Sequence, residues 1–171
     1  MKLFNIIMYL CIFLIVISLV GCNSTSTENQ LPESRPKNFN FVFKYGVNAK
    51  NQIDTIKGQY IKDMVLEPSI TTDLKLSDEE MNTIYLEMKK INILNYSESF
   101  NQKGNTLQTP FETYSIKIII DNKEKNIYWK DENVSKTKEA IKLRELFKKI
   151  QEIIINKEEY KKLPISKDGY Q

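Results

Sequence analysis

The sequence predicts an α+β domain in which a four-stranded antiparallel sheet carries two helices on one face. Three observations lead there. Around residues 39–45 and 114–120 apolar side chains recur two apart, the period that puts them on one face of a strand. From Met81 to Ile91 and from Ala140 to Ile154 they recur three and four apart, the period of a helix with one buried side. The order strand, strand, helix occurs twice, and such chains segregate their helices to one side of an antiparallel sheet.

The first residues read as an address. Lys2 is followed by an uncharged, mostly apolar run to Val20, the layout of a secretory signal and also long enough to span a bilayer. The end of that run separates the two readings. Leu19-Val20-Gly21-Cys22 resembles the lipobox of bacterial lipoprotein signal peptides, in which small residues precede a cysteine that is acylated and then exposed by cleavage. The resemblance covers residues 1–22. It implies cleavage between Gly21 and Cys22, a lipid anchor on Cys22, and a place on the extracytoplasmic face of the cell membrane. Because each buried CH₂ contributes about 0.8 kcal/mol, two or three acyl chains on one cysteine would hold the protein firmly.

Residues 22–37 are polar, rich in Ser, Thr and Pro, with Leu31 the one large apolar side chain, and read as the lipidated cysteine plus a flexible tether. A single domain is expected over 38–171. Its first strand carries Phe39, Phe41, Phe43 and Tyr45. A second is expected from Ile53 through Tyr60 to Met64, with Gly58 as a bulge or bend. Ser77 and Glu80 are spaced as a capping box at the start of the first helix. After the 17 residues 95–111, a third strand carries Tyr114, Ile116, Ile118 and Ile120, and a fourth Ile127 and Trp129. Ser135 is expected to cap the last helix, whose stripe is Ala140, Leu143, Phe147, Ile150 and Ile154, and Leu163-Pro164 stops it. A duplicated ββα-ββα unit is one reading of this order, supported by the matching runs Met88-Lys89-Lys90-Ile91 and Phe147-Lys148-Lys149-Ile150.

Composition excludes more than it identifies. Without residues 1–21 the chain keeps 150 residues with 24 basic and 22 acidic side chains, one domain's worth with almost no net charge. Cys22 is then the sole cysteine, so no disulfide forms within the chain. The sequence contains no histidine, which removes Ser-His-Asp and Cys-His catalysis and the zinc-hydrolase motifs. Neither a metal nor another cofactor is expected. With only Arg35 and Arg144 beside 23 lysines and no basic block, nucleic acid is not an expected partner.

Short motifs do not change this. Ser135 and Lys138 fit S-x-x-K, but the companion S-D-N and K-T-G elements are absent, and Ser34 with Lys37 fits equally well inside the tether. The carboxylates at 78–80, 131–132 and 158–159 lack calcium-loop spacing. Lys136, Lys138, Lys142, Arg144, Lys148 and Lys149 make the early last helix basic, a face that could touch anionic head groups or wall polymers but reads first as solvated. Two sets remain as candidates for binding. Tyr96, Phe100, Leu107 and Phe111 place apolar groups on the long loop, where they dock on their own core or on a partner. Asp54, Thr55, Asp63, Thr71, Thr72 and Asp73 could line a small-ligand or cation site.

In overall pattern the chain resembles the small lipoproteins of Bacillus-like bacteria. The expected function is a membrane-anchored, non-enzymatic module that binds or inhibits another envelope protein through the long loop and the uncovered sheet face. The alternative is a small-ligand or metal-ion binding lipoprotein that serves a membrane system.

Overall fold

Alternating burial begins where alternating hydrophobicity does. Strand β1 (Asn40–Tyr45) buries Phe41, Phe43 and Tyr45 and turns Asn40, Val42 and Lys44 the other way. The structure, a computed structural model, describes residues 30–101, 106–133 and 135–166. The expected signal, its cleavage site at Gly21 and Cys22, and the first part of the tether lie outside the described residues.

The sheet is larger than the periodicity predicted. What reads as one strand from Ile53 to Met64 is two, β2 (Asn51–Asp54) and β3 (Gln59–Met64). Gly58 does not bulge a continuing strand; at φ 63° it closes the turn between them in the left-handed region that favours glycine. A further strand, β4 (Glu67–Asp73), pairs with β3 alone and is mostly exposed. With little to bury, it has no apolar alternation to betray it, and Pro68 is tolerated because an edge strand need not donate on its free side. Strands β5 (Thr113–Ile120) and β6 (Lys123–Lys130) form the other hairpin.

Among the described residues the result is a six-stranded antiparallel sheet in the order β4-β3-β2-β1-β5-β6, with three helices, in place of the expected four strands and two. The class remains α+β. Four strands precede the first helix and two the second, so the ββα-ββα duplication is not the order found.

Helix α1 (Asp78–Lys90) starts at the expected capping box: the Ser77 N–H donates to Glu80 Oε2 at 2.7 Å and the Glu80 N–H to Ser77 Oγ at 3.2 Å. Helix α2 (Lys138–Asn156) is capped by Thr137, not by Ser135. Thr137 Oγ1 accepts the Ala140 N–H at 3.3 Å, while the buried Ser135 Oγ accepts the Thr137 N–H at 3.4 Å and so orients the cap. Extended backbone at Lys157 separates α2 from a one-turn helix, α3 (Glu158–Lys161).

Ring contacts show that all three helices cover one sheet face. Tyr85 of α1 meets Phe39 at 5.1 Å, Phe147 of α2 meets Phe43 at 4.8 Å and Tyr114 at 4.7 Å, and Tyr160 of α3 meets Tyr60 at 5.6 Å. Phe43, Ile53, Tyr60, Ile116 and Ile127 form one cross-strand row beneath them. Each such fully buried large side chain contributes about 1.5–3 kcal/mol, and this face holds the core.

Residues 31–37, expected to be tether, lie on the domain. Leu31 joins the core cluster, the Pro32 carbonyl accepts the Tyr85 hydroxyl at 2.7 Å, and Glu33 and Arg35 pair with Lys89 and Asp78, each at 2.7 Å.

Candidate interaction surface

Among the described residues the helices lie on one side, and none of them covers the other sheet face. Register places two rows across it. Thr71, Ile61, Gln52, Lys44, Ser115 and Tyr128 make one; Asp73, Gln59, Asp54, Val42, Lys117 and Asn126 make the next. Val42, Ile61 and Ile119 are half-buried among these polar neighbours, and Tyr128 stands out with 43% of its surface exposed. Tyr128 lies between Ile127 and Trp129, both buried on the helix side, so strand alternation alone sends it to the open face. Sequence reasoning overlooked that residue although the signal for it was present.

Charge on this face is uneven. The β1, β5 and β6 half carries Lys44, Lys117 and Lys130, with Lys117 paired to Glu124 at 2.8 Å. The other half carries carboxylates, two of which are held by turns. Asp54 Oδ1 accepts the N–H groups of Ile56 and Lys57, each at 3.0 Å, and Asp63 Oδ1 accepts the Val65 N–H at 3.1 Å.

The loop aromatics divide. Tyr96 and Phe100 are buried: Phe100 meets Trp129 edge-on at 5.1 Å, and the Tyr96 hydroxyl donates to the Glu139 carbonyl at 3.1 Å. These two are part of the core cluster. Of the four apolar candidates on the loop, Leu107 is 76% exposed and Phe111 half-exposed, so these two reach the surface. Residues 98–100 instead line the outer edge of β6, where the Phe100 N–H donates to the Tyr128 carbonyl at 2.8 Å and the Tyr128 N–H to the Glu98 carbonyl at 2.7 Å.

The hydroxyl and carboxylate set of the first strands does not converge. Thr55 Oγ1 is bonded to the backbone of Phe41 at 2.8 and 2.9 Å, Thr72 lies on the helix side, and Thr71 and Asp73 lie on the open face. Among the described residues no three acidic side chains come together as cation ligands. None of their buried side-chain polar atoms is left without a partner, so no orphan group marks a ligand.

Two further polar clusters have structural partners. Arg144 clamps Asp131 through two contacts of 2.5 and 2.6 Å, donates to the Ser135 carbonyl at 2.6 Å and lies over Trp129. That arrangement ties α2 to the end of β6. The hydroxyls of Tyr45 and Tyr60 are 2.7 Å apart in the core; burial pushes Tyr45 up to about 12 and raises Tyr60 as well, so both stay protonated near neutrality.

Compared with protein-family models, curated proteins and solved structures, the chain matches none significantly.

Proposed function

We propose that the chain is an extracytoplasmic lipoprotein, anchored to the cell membrane through Cys22, whose domain binds another envelope protein over the helix-free face of its sheet. The observation that carries this reading is that face, which no described helix covers, with Tyr128 exposed at one side and aliphatic groups among lysines and amides. Tyrosine in such a setting supplies large contact area at low entropic cost. The reading is non-enzymatic, since the chain has no histidine and its one mature cysteine is assigned to lipid. Nucleic acid has no place in it.

A photo-crosslinking phenylalanine analogue at position 128, used in intact cells, tests the reading against the same probe at Ile141, a matched position of equal exposure on the helix side. A discrete adduct from position 128, absent from position 141 and abolished by Lys44→Glu, is expected. Equal adducts from both positions, or none from 128, would rule the face out. Mass spectrometry of the mature N-terminal peptide should find acyl chains on Cys22, and Cys22→Ala should accumulate as precursor.

A further inference from the structure

One end of the sheet gathers three features in which the proposed partner face has no share. The N-terminal segment comes off the domain there: Gln30 and Leu31 lie beside Ile120, Asp121 and Lys123, and the Asn38 side-chain amide donates to Asp121 Oδ1 at 2.7 Å. The turn between β2 and β3 lies at that same end and carries Ile56, with 59% of its surface exposed, beside Lys57. Between them is a cleft of about 340 Å³ whose charged lining is Arg35, Lys37, Lys57, Lys75 and the single carboxylate Asp78. Arg35 neutralises Asp78, which leaves three lysines around an exposed isoleucine.

We infer that this end of the domain rests on the membrane, with the phosphate groups of anionic lipids held by Lys37, Lys57 and Lys75 and with Ile56 entering the interface. The inference rests on Cys22 as the anchor. Because Leu31 is built into the core, only eight residue-to-residue steps separate Cys22 from Gln30. At 3.3–3.6 Å per residue they reach no further than about 29 Å, against about 50 Å if the chain were free to residue 37. Gln30 leaves from the end that carries the lysines, so the shortened link delivers that end to the lipid. Amphipathic basic surfaces bind anionic headgroups through charge and seat an apolar side chain at the boundary. Leu66, equally aliphatic and 77% exposed, occupies the β3–β4 turn at the opposite end of the sheet and is a built-in comparison.

The test uses the full processed lipoprotein reconstituted into phosphatidylcholine vesicles with or without phosphatidylglycerol. Ile56→Cys or Leu66→Cys is labelled with one fluorophore, the acylated Cys22 being unreactive, and quenched from a lipid-borne group. Several-fold stronger quenching at 56 than at 66 is expected with phosphatidylglycerol. It should fall away in phosphatidylcholine alone, in the triple variant Lys37→Gln, Lys57→Gln, Lys75→Gln, and at about 1 M salt, where the screening length shrinks to about 3 Å. Equal quenching at both positions, or none at 56 while mass spectrometry confirms acyl chains on Cys22, overturns the inference and leaves the anchor standing. A Cys22 without acyl chains overturns the anchor itself. A response at 56 to soluble polyphosphate, with no lipid quenching, assigns the lysines to a polymer and also overturns it. The substituted side chains are exposed, and matching thermal melts confirm that each variant folds.

Discussion

Phe100 shows how an aromatic residue in a long polar loop acquires its role. Its ring meets Trp129 edge-on at 5.1 Å and Tyr96 at 5.3 Å, and it is almost wholly buried. A partner anchor would be dispensable for folding, whereas a core ring is not. Phe100→Ala should therefore destabilise the domain by about 3 kcal/mol, while Leu107→Ala, at an exposed position, should stay within about 0.5 kcal/mol. Equilibrium denaturation of the two variants decides it, and a stable Phe100→Ala would return the residue to the surface. Nothing in the sequence distinguishes these residues, because docking on one's own core and docking on another's require the same apolar side chain. Tyr128 was legible, since the residues on either side of it face the core and period two leaves it no other direction.

Among the elements, those whose signal is burial or capping were legible and those whose signal is pairing were not. β1, β5, β6 and both long helices announce themselves through period two, period 3.6 and the Ser77–Glu80 box. β4 offers only backbone groups to β3, and its Glu-Pro-Ser start reads as a loop. The segment before β1 deceives in the opposite sense: its composition is that of a tether, yet Leu31 is buried in the core and the Tyr85 hydroxyl and two ion pairs tie the segment to α1. Exposed partners make those ion pairs weak, so the apolar contact dominates. Leu31→Ala should cost about 2 kcal/mol, near the low end for a buried leucine, and should open residues 33–37 to limited proteolysis. Ser77→Ala should cost about 1 kcal/mol with that segment still protected. If Leu31→Ala left the digestion pattern unchanged, the segment would owe its position to something other than this contact.

For the molecule as a whole, one sheet face is filled with aromatic core, and the other, which no described helix covers, is the face the proposed function assigns to a partner. With the anchor end down, the strands would stand off the membrane and the open face would look sideways toward neighbouring proteins. The core also sets how the protein meets alkali. Tyr45, Tyr60 and Tyr114, from β1, β3 and β5, are buried, and burial raises all three, Tyr45 to about 12 and the other two in the same direction. In the unfolded chain a tyrosine ionises near pH 10. Above that pH the unfolded state holds fewer protons than the folded one, so stability is fully present below about pH 10 and falls as pH rises through the folded values. Each such tyrosine adds a slope of up to about 1.4 kcal/mol per pH unit above about pH 10. Denaturant titrations at stepped pH, followed by far-ultraviolet circular dichroism, measure that slope. Tyr45→Phe should lower stability at pH 8 by removing the hydroxyl pair with Tyr60, yet flatten the alkaline limb by about 1.4 kcal/mol per pH unit. An unchanged limb in that variant would mean that the Tyr45 hydroxyl meets water in the folded protein.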